Sequence, residues 1–377
     1  MRRGGSEEIR ILIIGGYGRT GIQVARLLLE ETDAEVRLGG RHLCRAEEAA
    51  TKLAGEFGEA RVSWTAVDVA ASESLRSAVK ACDLVIICAQ MRQSRVEAAT
   101  TLLAAGIDCI EINAGSYEDW ESVGAYQKCR DTDRMVIAEA GILPGLPSLL
   151  VNQASGRFDR LNSAVIGHLM RLESWETLEI ENFLADLEFK SRLYSEGSWK
   201  EVSWRKFRPI DFGPPYGVCA SYPYILPEIL ELPDGHGLKS LGLYAADLGH
   251  WTLGWLLFIY TIAAGGKSRF VRKLIGGLMH KCYGWFSKPP FGMRIKFEAE
   301  GEMGGQAWRL ETTIEQADVY KFTAIAVTAL VIQWLDGSIR RPGLYMMGNV
   351  ADPERFLADM DRLGASVTSK LAPVQKE

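Results

Sequence analysis

Residues 9–21 read IRILIIGGYGRTG, a short apolar run closed by glycines at 16, 18 and 21. An apolar run directly followed by Gly-x-Gly-x-x-Gly predicts a strand, a tight turn and a helix. Gly16 permits the turn, Gly18 lets backbone approach a pyrophosphate, and Gly21 lets helix and strand pack closely. The helix start offers N–H groups and a partial positive charge to phosphates. Gly16, Tyr17, Gly18, Arg19, Thr20 and Gly21 are therefore the expected dinucleotide-binding loop.

The residues that follow keep the same rhythm. Gly18–Glu31 has apolar residues at helical spacing, and Glu35–Leu38 reads as a second strand. Arg45–Glu56 predicts a helix, Arg61–Val67 a strand, and Ser72 a cap for a helix running to Lys80. DLVIICA is a continuous apolar run, suited to the buried centre of a parallel sheet. A helix from Ser94 ends before Gly106, a glycine stop. IDCIEI and RMVIAEA add two strands around a helix near Glu118–Cys129. Six strands alternating with helices predict an α/β doubly wound parallel sheet, the Rossmann arrangement, over residues 1–145.

The end of the second strand bears on which dinucleotide is held. An NAD site usually has Asp or Glu there. Here the chain reads VRLGGRH, with no acid. Arg41 is placed to pair with a 2′-phosphate through a charge-assisted fork, beside His42. Arg19 is a second phosphate candidate. NADP(H) is the expected cofactor. By fold geometry, Asp68 and Val69 should meet the adenine side. Ala89 and Gln90 should line the nicotinamide half.

Composition excludes some partners. The net charge of −5 gives no reason to expect nucleic acid. The seven cysteines form no C-x-x-C pair, which argues against zinc or a disulfide framework. They are expected to be mostly buried thiols of a cytoplasmic protein. The start, MRRGGSEEIR, has no apolar core like that of a secretory leader.

Beyond residue 145 the pattern changes. SAVIGHL reads as a strand, YSEGSWKEV as a hairpin, and RIKFEAEGEMGGQAWRLETTIE as a longer hairpin turning at Gly304-Gly305. These pieces predict a substrate and dimerisation α+β domain over 146–318, with an open antiparallel sheet. TAIAVTALVIQWLDG is an apolar helix within a C-terminal segment, 319–377.

IIGGYGRTG, LGGR, DLVIICA, AGILPGLPSLL, the YSEGSWKEV hairpin and TAIAVTALVIQWLDGSIRRPGLYMM occur in an order that resembles the saccharopine dehydrogenase-like (saccharopine reductase-like) oxidoreductases. The resemblance spans nearly the whole chain. It implies a Rossmann domain, a second α/β domain, and a C-terminal helix returning to the first. It also implies hydride transfer from a pyridine nucleotide, often at a carbon–nitrogen bond of an amino acid or amine. After the fifth strand the chain reads CIEINAGSY, with Glu111 where the family usually has aspartate.

Such chemistry calls for a proton donor or acceptor and for cations that hold carboxylates. His168, Tyr117 and Glu111 are the candidate catalytic residues. Arg171, Lys190, Arg192 and Lys206 are candidate carboxylate binders. Two rival readings remain: a reductase of a lipidic or polyketide-type substrate at a membrane surface, and a non-catalytic dinucleotide-binding sensor or partner subunit.

Residues 251–290 bear on the first rival. WTLGWLLFIYTIAAGG is too short to span a bilayer. The next stretch sets Phe270, Val271, Leu274, Ile275 and Leu278 at helical spacing among Lys267, Arg269, Arg272, Lys273, Lys281 and Lys288. The favoured expectation is core or homodimer packing, with a small-molecule substrate as the other partner. Peripheral contact with an anionic membrane is the alternative.

Overall fold

The computed structural model describes residues 9–91, 94–186, 191–203, 206–246, 259 and 268–374. The chain divides into two compact units, Met1–Asn152 with Thr323–Gly364, and Gln153–Phe322 with Ala365–Glu377.

The first unit is built on a seven-stranded parallel sheet. Its strands are β1 (Arg10–Ile14), β2 (Glu35–Gly40), β3 (Val62–Ala66), β4 (Leu84–Ile87), β5 (Asp108–Glu111), β6 (Met135–Ala138) and β15 (Gly343–Met346). Their spatial order is β15-β6-β5-β4-β1-β2-β3, the doubly wound arrangement. Helices α1 (Arg19–Glu31), α2 (Leu43–Phe57), α3 (Ser72–Ala78), α4 (Arg95–Ala105), α5 (Ser116–Ser122) and α6 (Ala125–Asp131) connect the strands. Ile11, Leu12, Ile13 and Ile14 are all buried. A parallel strand covered on both faces requires such a run.

Two local expectations are corrected. Ser72 is the first helical residue of α3, not its cap, and its hydroxyl accepts from Thr101 instead (3.1 Å). The single helix expected near Glu118–Cys129 is two helices, broken where Gly124 turns left-handed (φ +72°). Gly106 does end α4 in the left-handed conformation (φ +64°).

Helix α7 (Leu146–Arg157) leads into the second unit. Its sheet contains β7 (Arg160–Arg171), β8 (Ser191–Ser195), β9 (Ser198–Val202), β10 (Arg208–Asp211), β11 (Val218–Tyr224), β12 (Ser240–Ala246), β13 (Gly292–Met303), β14 (Gln306–Gln316) and β16 (Ser366–Pro373). The main order is β10-β11-β12-β7-β13-β14-β16, with the β8–β9 hairpin attached to β12. Both expected hairpins form. Glu196 and Gly197 turn the first, and Gly304 and Gly305 the second, all at positive φ. The expected antiparallel sheet is mixed, because β12 runs parallel to β7. A long connection, not a tight turn, joins that pair, as parallel strands require. Helices α8 (Thr177–Asp186), α9 (Leu232–His236) and α10 (Arg269–Phe286) complete the unit.

The segment expected as one C-terminal body, 319–377, is shared between the units. Helix α11 (Val319–Leu335) carries the chain back to the first, where α12 (Pro353–Arg362) also lies, and β16 pairs with β14 in the second. Phe322 through Val331 are buried at nearly every position. A helix apolar on all sides belongs inside a protein. Trp334 of α11 donates its indole N–H to the buried Asp108 carboxylate of β5 (3.0 Å). The expectation of mostly buried cysteines also needs correction. Cys109 and Cys129 are buried, Cys44 is exposed, and the other four are half-buried. No described helix is long and apolar enough to cross a membrane.

Candidate functional site

The glycine loop leaves β1 against the end of β2. The N–H groups of Gly15 and Gly16 both donate to the Gly39 carbonyl (2.8 and 3.2 Å), and the Gly18 N–H donates to the Gly15 carbonyl (2.9 Å). Gly15 has φ +82°, a conformation that favours glycine. A Cβ at Gly21 would stand 2.3 Å from the Gly15 carbonyl oxygen, so α1 packs on the loop through backbone alone. A Cβ at Gly18 meets only one atom, the Gly15 oxygen at 3.0 Å, and its other side is open. This leaves room at the helix start for a phosphate to approach.

Tyr17 ties the loop to β2. A Cβ at Gly40 would fall 2.2 Å from its ring, so the second glycine of LGGR exists to admit the tyrosine. Its hydroxyl accepts from the His42 N–H (3.2 Å), and the Arg45 guanidinium lies over its ring at 5.0 Å. Arg19, Arg41, His42 and Arg45 are exposed, while Thr20 is half-buried. The end of β2 is therefore basic and aromatic. Arg45 escaped the sequence reading. Its signal was its place four residues after Arg41, in the first turn of α2.

Asp68 follows β3. Its carboxylate accepts from the Ala70 N–H (3.1 Å), a local turn ahead of α3. Val69 and Ala89 pack on the core of the first unit, and Gln90 is exposed. Ala89 lies against the loop, its nitrogen 2.9 Å from where a Gly15 Cβ would be.

Glu111 ends β5 but turns inward and is 1% exposed. Its oxygens accept from Trp120 Nε1 (2.7 Å) and Asn113 Nδ2 (3.1 Å), and Arg95 Nε stands 3.9 Å away. Burial raises its pKa against those two bonds. Asn113 also donates to the Ala89 carbonyl (3.0 Å), so this carboxylate braces the loop after β4. Tyr117, in the first turn of α5, is half-buried against the same core. Glu139, just past β6, went unnoticed in the sequence. It is fully buried at φ +54° and accepts the Gly115 N–H (2.9 Å) at the start of α5.

In the second unit, His168 lies on β7, beside Ala245 of β12 and Ile295 of β13. Its Nδ1 is 2.9 Å from the Tyr224 hydroxyl, and the two rings meet edge to face at 5.2 Å. Burial pushes the His168 pKa down to about 4. Burial, with the nearby charge of Glu228, pushes the Tyr224 hydroxyl well above its usual range. Near neutral pH both groups are uncharged. Tyr222 lies in the His168 row, exposed, with Phe207 at 6.2 Å between ring centroids.

Arg171 is three residues from His168 and so projects from the opposite face of β7. Its guanidinium stacks on Tyr216, which also carries Arg294 (5.5 and 5.0 Å). Arg192 and Lys206 are exposed, and Lys190 lies outside the described residues.

Comparison with known proteins bears on the fold. A family model for NAD(P)H-binding domains matches residues 15–109. No curated protein matches the chain by sequence. Among solved structures, apo saccharopine dehydrogenase (L-Glu forming) from Saccharomyces cerevisiae is similar with a TM-score of 0.71 and 13% identity, covering 97% of this chain and 100% of that one. C. glutamicum DAP dehydrogenase in complex with DAP gives 0.51 and 11% identity, over 93% and 95% of the two chains. An engineered D-amino acid dehydrogenase bound to NADP+ gives 0.50 and 11%, over 93% and 96%. The chain therefore has an NAD(P)H-binding domain within the fold of saccharopine dehydrogenase.

Proposed function

We propose that the protein is an NADP(H)-dependent oxidoreductase acting at a carbon–nitrogen bond of an amino acid or amine conjugate. The observation that carries the cofactor reading is the basic, acid-free end of β2, where Arg41, His42 and Arg45 stand exposed and the last two meet Tyr17. A 2′-phosphate gains charge-assisted hydrogen bonds from arginine, whereas a bare ribose gains little there. Gly18 admits the pyrophosphate, and Asp68 and Val69 border the adenine. Ala89 and Gln90 flank the nicotinamide half, where the Glu111–Asn113 brace holds the Ala89 carbonyl in place.

When bound, NADPH supplies a hydride to an imine carbon, and the imine nitrogen takes up a proton. His168 and Tyr224 are the candidate proton relay. Both are neutral near pH 7, and one hydrogen bond joins them. Tyr117 is a candidate substrate contact. The carbon–nitrogen assignment draws on the resemblance in sequence motifs and on neighbours named for saccharopine, DAP and D-amino acids.

Fluorescence titration with NADPH and NADH tests the cofactor assignment. Tighter NADPH binding is expected, and equal dissociation constants would overturn it. NADPH oxidation with amino acid and oxo acid pairs tests the reaction. Turnover that requires both partners is expected, whereas turnover with a carbonyl compound alone would reject the carbon–nitrogen reading.

A further inference from the structure

Helix α10 has two unlike faces. On the inner one, Ile275, Met279 and Tyr283 are buried in a cluster with Leu172, Trp175, Ile180 and Leu184. Gly276 allows α8 to come close, since a Cβ there would be 3.2 Å from Glu181 Cγ. The Leu172 N–H donates to the Tyr283 hydroxyl (2.9 Å), and His280 Nδ1 is 2.7 Å from the Trp175 carbonyl oxygen. These contacts fix which side of the helix faces the protein.

The outer face is apolar as well. Phe270 is 76% exposed, Leu274 54%, Leu278 43% and Trp285 73%. Steps of four, four and seven residues place them on one stripe. The apolar residues that looked like one face in the sequence thus separate into two: Val271 and Ile275 turn in, while Phe270, Leu274 and Leu278 turn out. Between residues 269 and 288 stand Arg269, Arg272, Lys273, Lys281 and Lys288, with no Asp or Glu. The cations are not concentrated at a crossing helix's ends, and the helix is not apolar enough to span a bilayer.

We propose that this outer face docks on an anionic lipid surface, with α10 lying in the headgroup plane. Exposed Trp and Phe beside Lys and Arg suit that boundary, where rings enter the interface and cations meet phosphates or carboxylates. A second copy of the chain fits less well. A two-fold contact through this face would set Lys281, in line with Leu278 and Trp285, against its own copy, with no acid on the helix to pair it. The docking concerns where the protein works and stands apart from the cofactor reading. The apolar stretch from Trp251 to Lys267 lies outside the described residues, apart from Ile259.

Flotation of the full chain with phosphatidylcholine vesicles, with and without phosphatidylserine, tests the proposal. Binding is expected only with phosphatidylserine and should weaken as salt rises. Each cation near such a surface strengthens binding about fivefold, so Lys273→Glu with Lys281→Glu should lower partitioning at least ~25-fold. Phe270→Ser with Trp285→Ser should weaken it independently of salt. Unchanged thermal melting and unchanged NADPH titration show that the variants are folded. Absence of binding by the folded wild type at low salt would overturn the proposal. So would vesicle binding that both variants leave unchanged. A solution dimer that the Phe270→Ser, Trp285→Ser variant converts to monomer would reassign the face as a contact between copies.

Discussion

The glycine loop of the first unit and the His168 row of the second teach different things about how sites are encoded. The loop is local: residues 15 to 21 and 39 to 45 carry its turn, its close packing and its cations, and its partners are neighbouring strands of one sheet. The His168 pair is assembled from residues 56 apart, on strands separated by β12. A local site tolerates change elsewhere in the fold but depends on single glycines. A site assembled at a distance depends on sheet register and on burial.

The sharpest break in that comparison is Gly18→Val. Its added atoms enter the open side of the turn, and within the protein its Cβ meets only the Gly15 oxygen at 3.0 Å. The chain should fold, while NADPH affinity should fall by more than about a thousandfold, because the side chain takes the pyrophosphate's place. Isothermal calorimetry on the folded variant reads this directly. Retained binding would mean that the loop is only a turn. Gly21→Val is the contrasting variant, since its Cβ meets backbone at 2.3 Å and the fold itself should suffer.

Acid titration probes the other site. Burial holds His168 neutral, with a pKa near 4 in the folded chain against 6.5 for the free side chain. Between those values the unfolded chain binds the extra proton, so stability rises with pH across the window and is lost as pH falls through it. The loss is no more than about 3 kcal/mol, the size set by the gap between those two values. Urea midpoints at pH 7 and pH 4.5 should diverge less in His168→Gln than in the wild type. Equal divergence would show that His168 titrates normally in the fold.

Arg41→Asp returns the test to the first unit. Under the proposed assignment, exchanging this arginine for a carboxylate suited to ribose hydroxyls should cut the NADPH-to-NADH affinity ratio at least about tenfold. Arg45→Ala should cut it severalfold, since that guanidinium also rests on Tyr17. An unchanged ratio in both variants would remove the basic end of β2 from cofactor choice.

These contrasts follow what the amino-acid order makes legible. Gly106 as a helix stop, Gly304-Gly305 as a hairpin turn and the run of six parallel strands are legible because each depends on near neighbours. The seventh strand, Gly343–Met346, is four residues long and gains meaning only beside β6. The parallel pairing of β7 and β12 joins distant segments and leaves no local mark. Glu111 was visible as an acid at a strand end, but its direction was not. Every residue of β5 is buried, so alternation along the strand gives no inward or outward signal. Gly40 carries no local signal of its role, and only the packed Tyr17 ring explains it.

The smallest expected effect separates two causes of one shift. His168 is neutral in the folded chain either because burial excludes its charge or because the hydrogen bond between its Nδ1 and the Tyr224 hydroxyl favours the neutral ring. Burial is the dominant cause on the structure, and Tyr224→Phe keeps the ring while removing the hydroxyl. One hydrogen bond between neutral groups is then lost, at a cost of about 1 kcal/mol, and His168 Nδ1 is left without that partner. If burial governs, the His168 midpoint, followed by NMR of its ring protons, stays near 4. A rise toward 6.5 would assign the shift to the hydrogen bond. It would also make Tyr224 the residue that sets the protonation state of His168, so that the distant pair depends on one partner as the loop depends on its glycines.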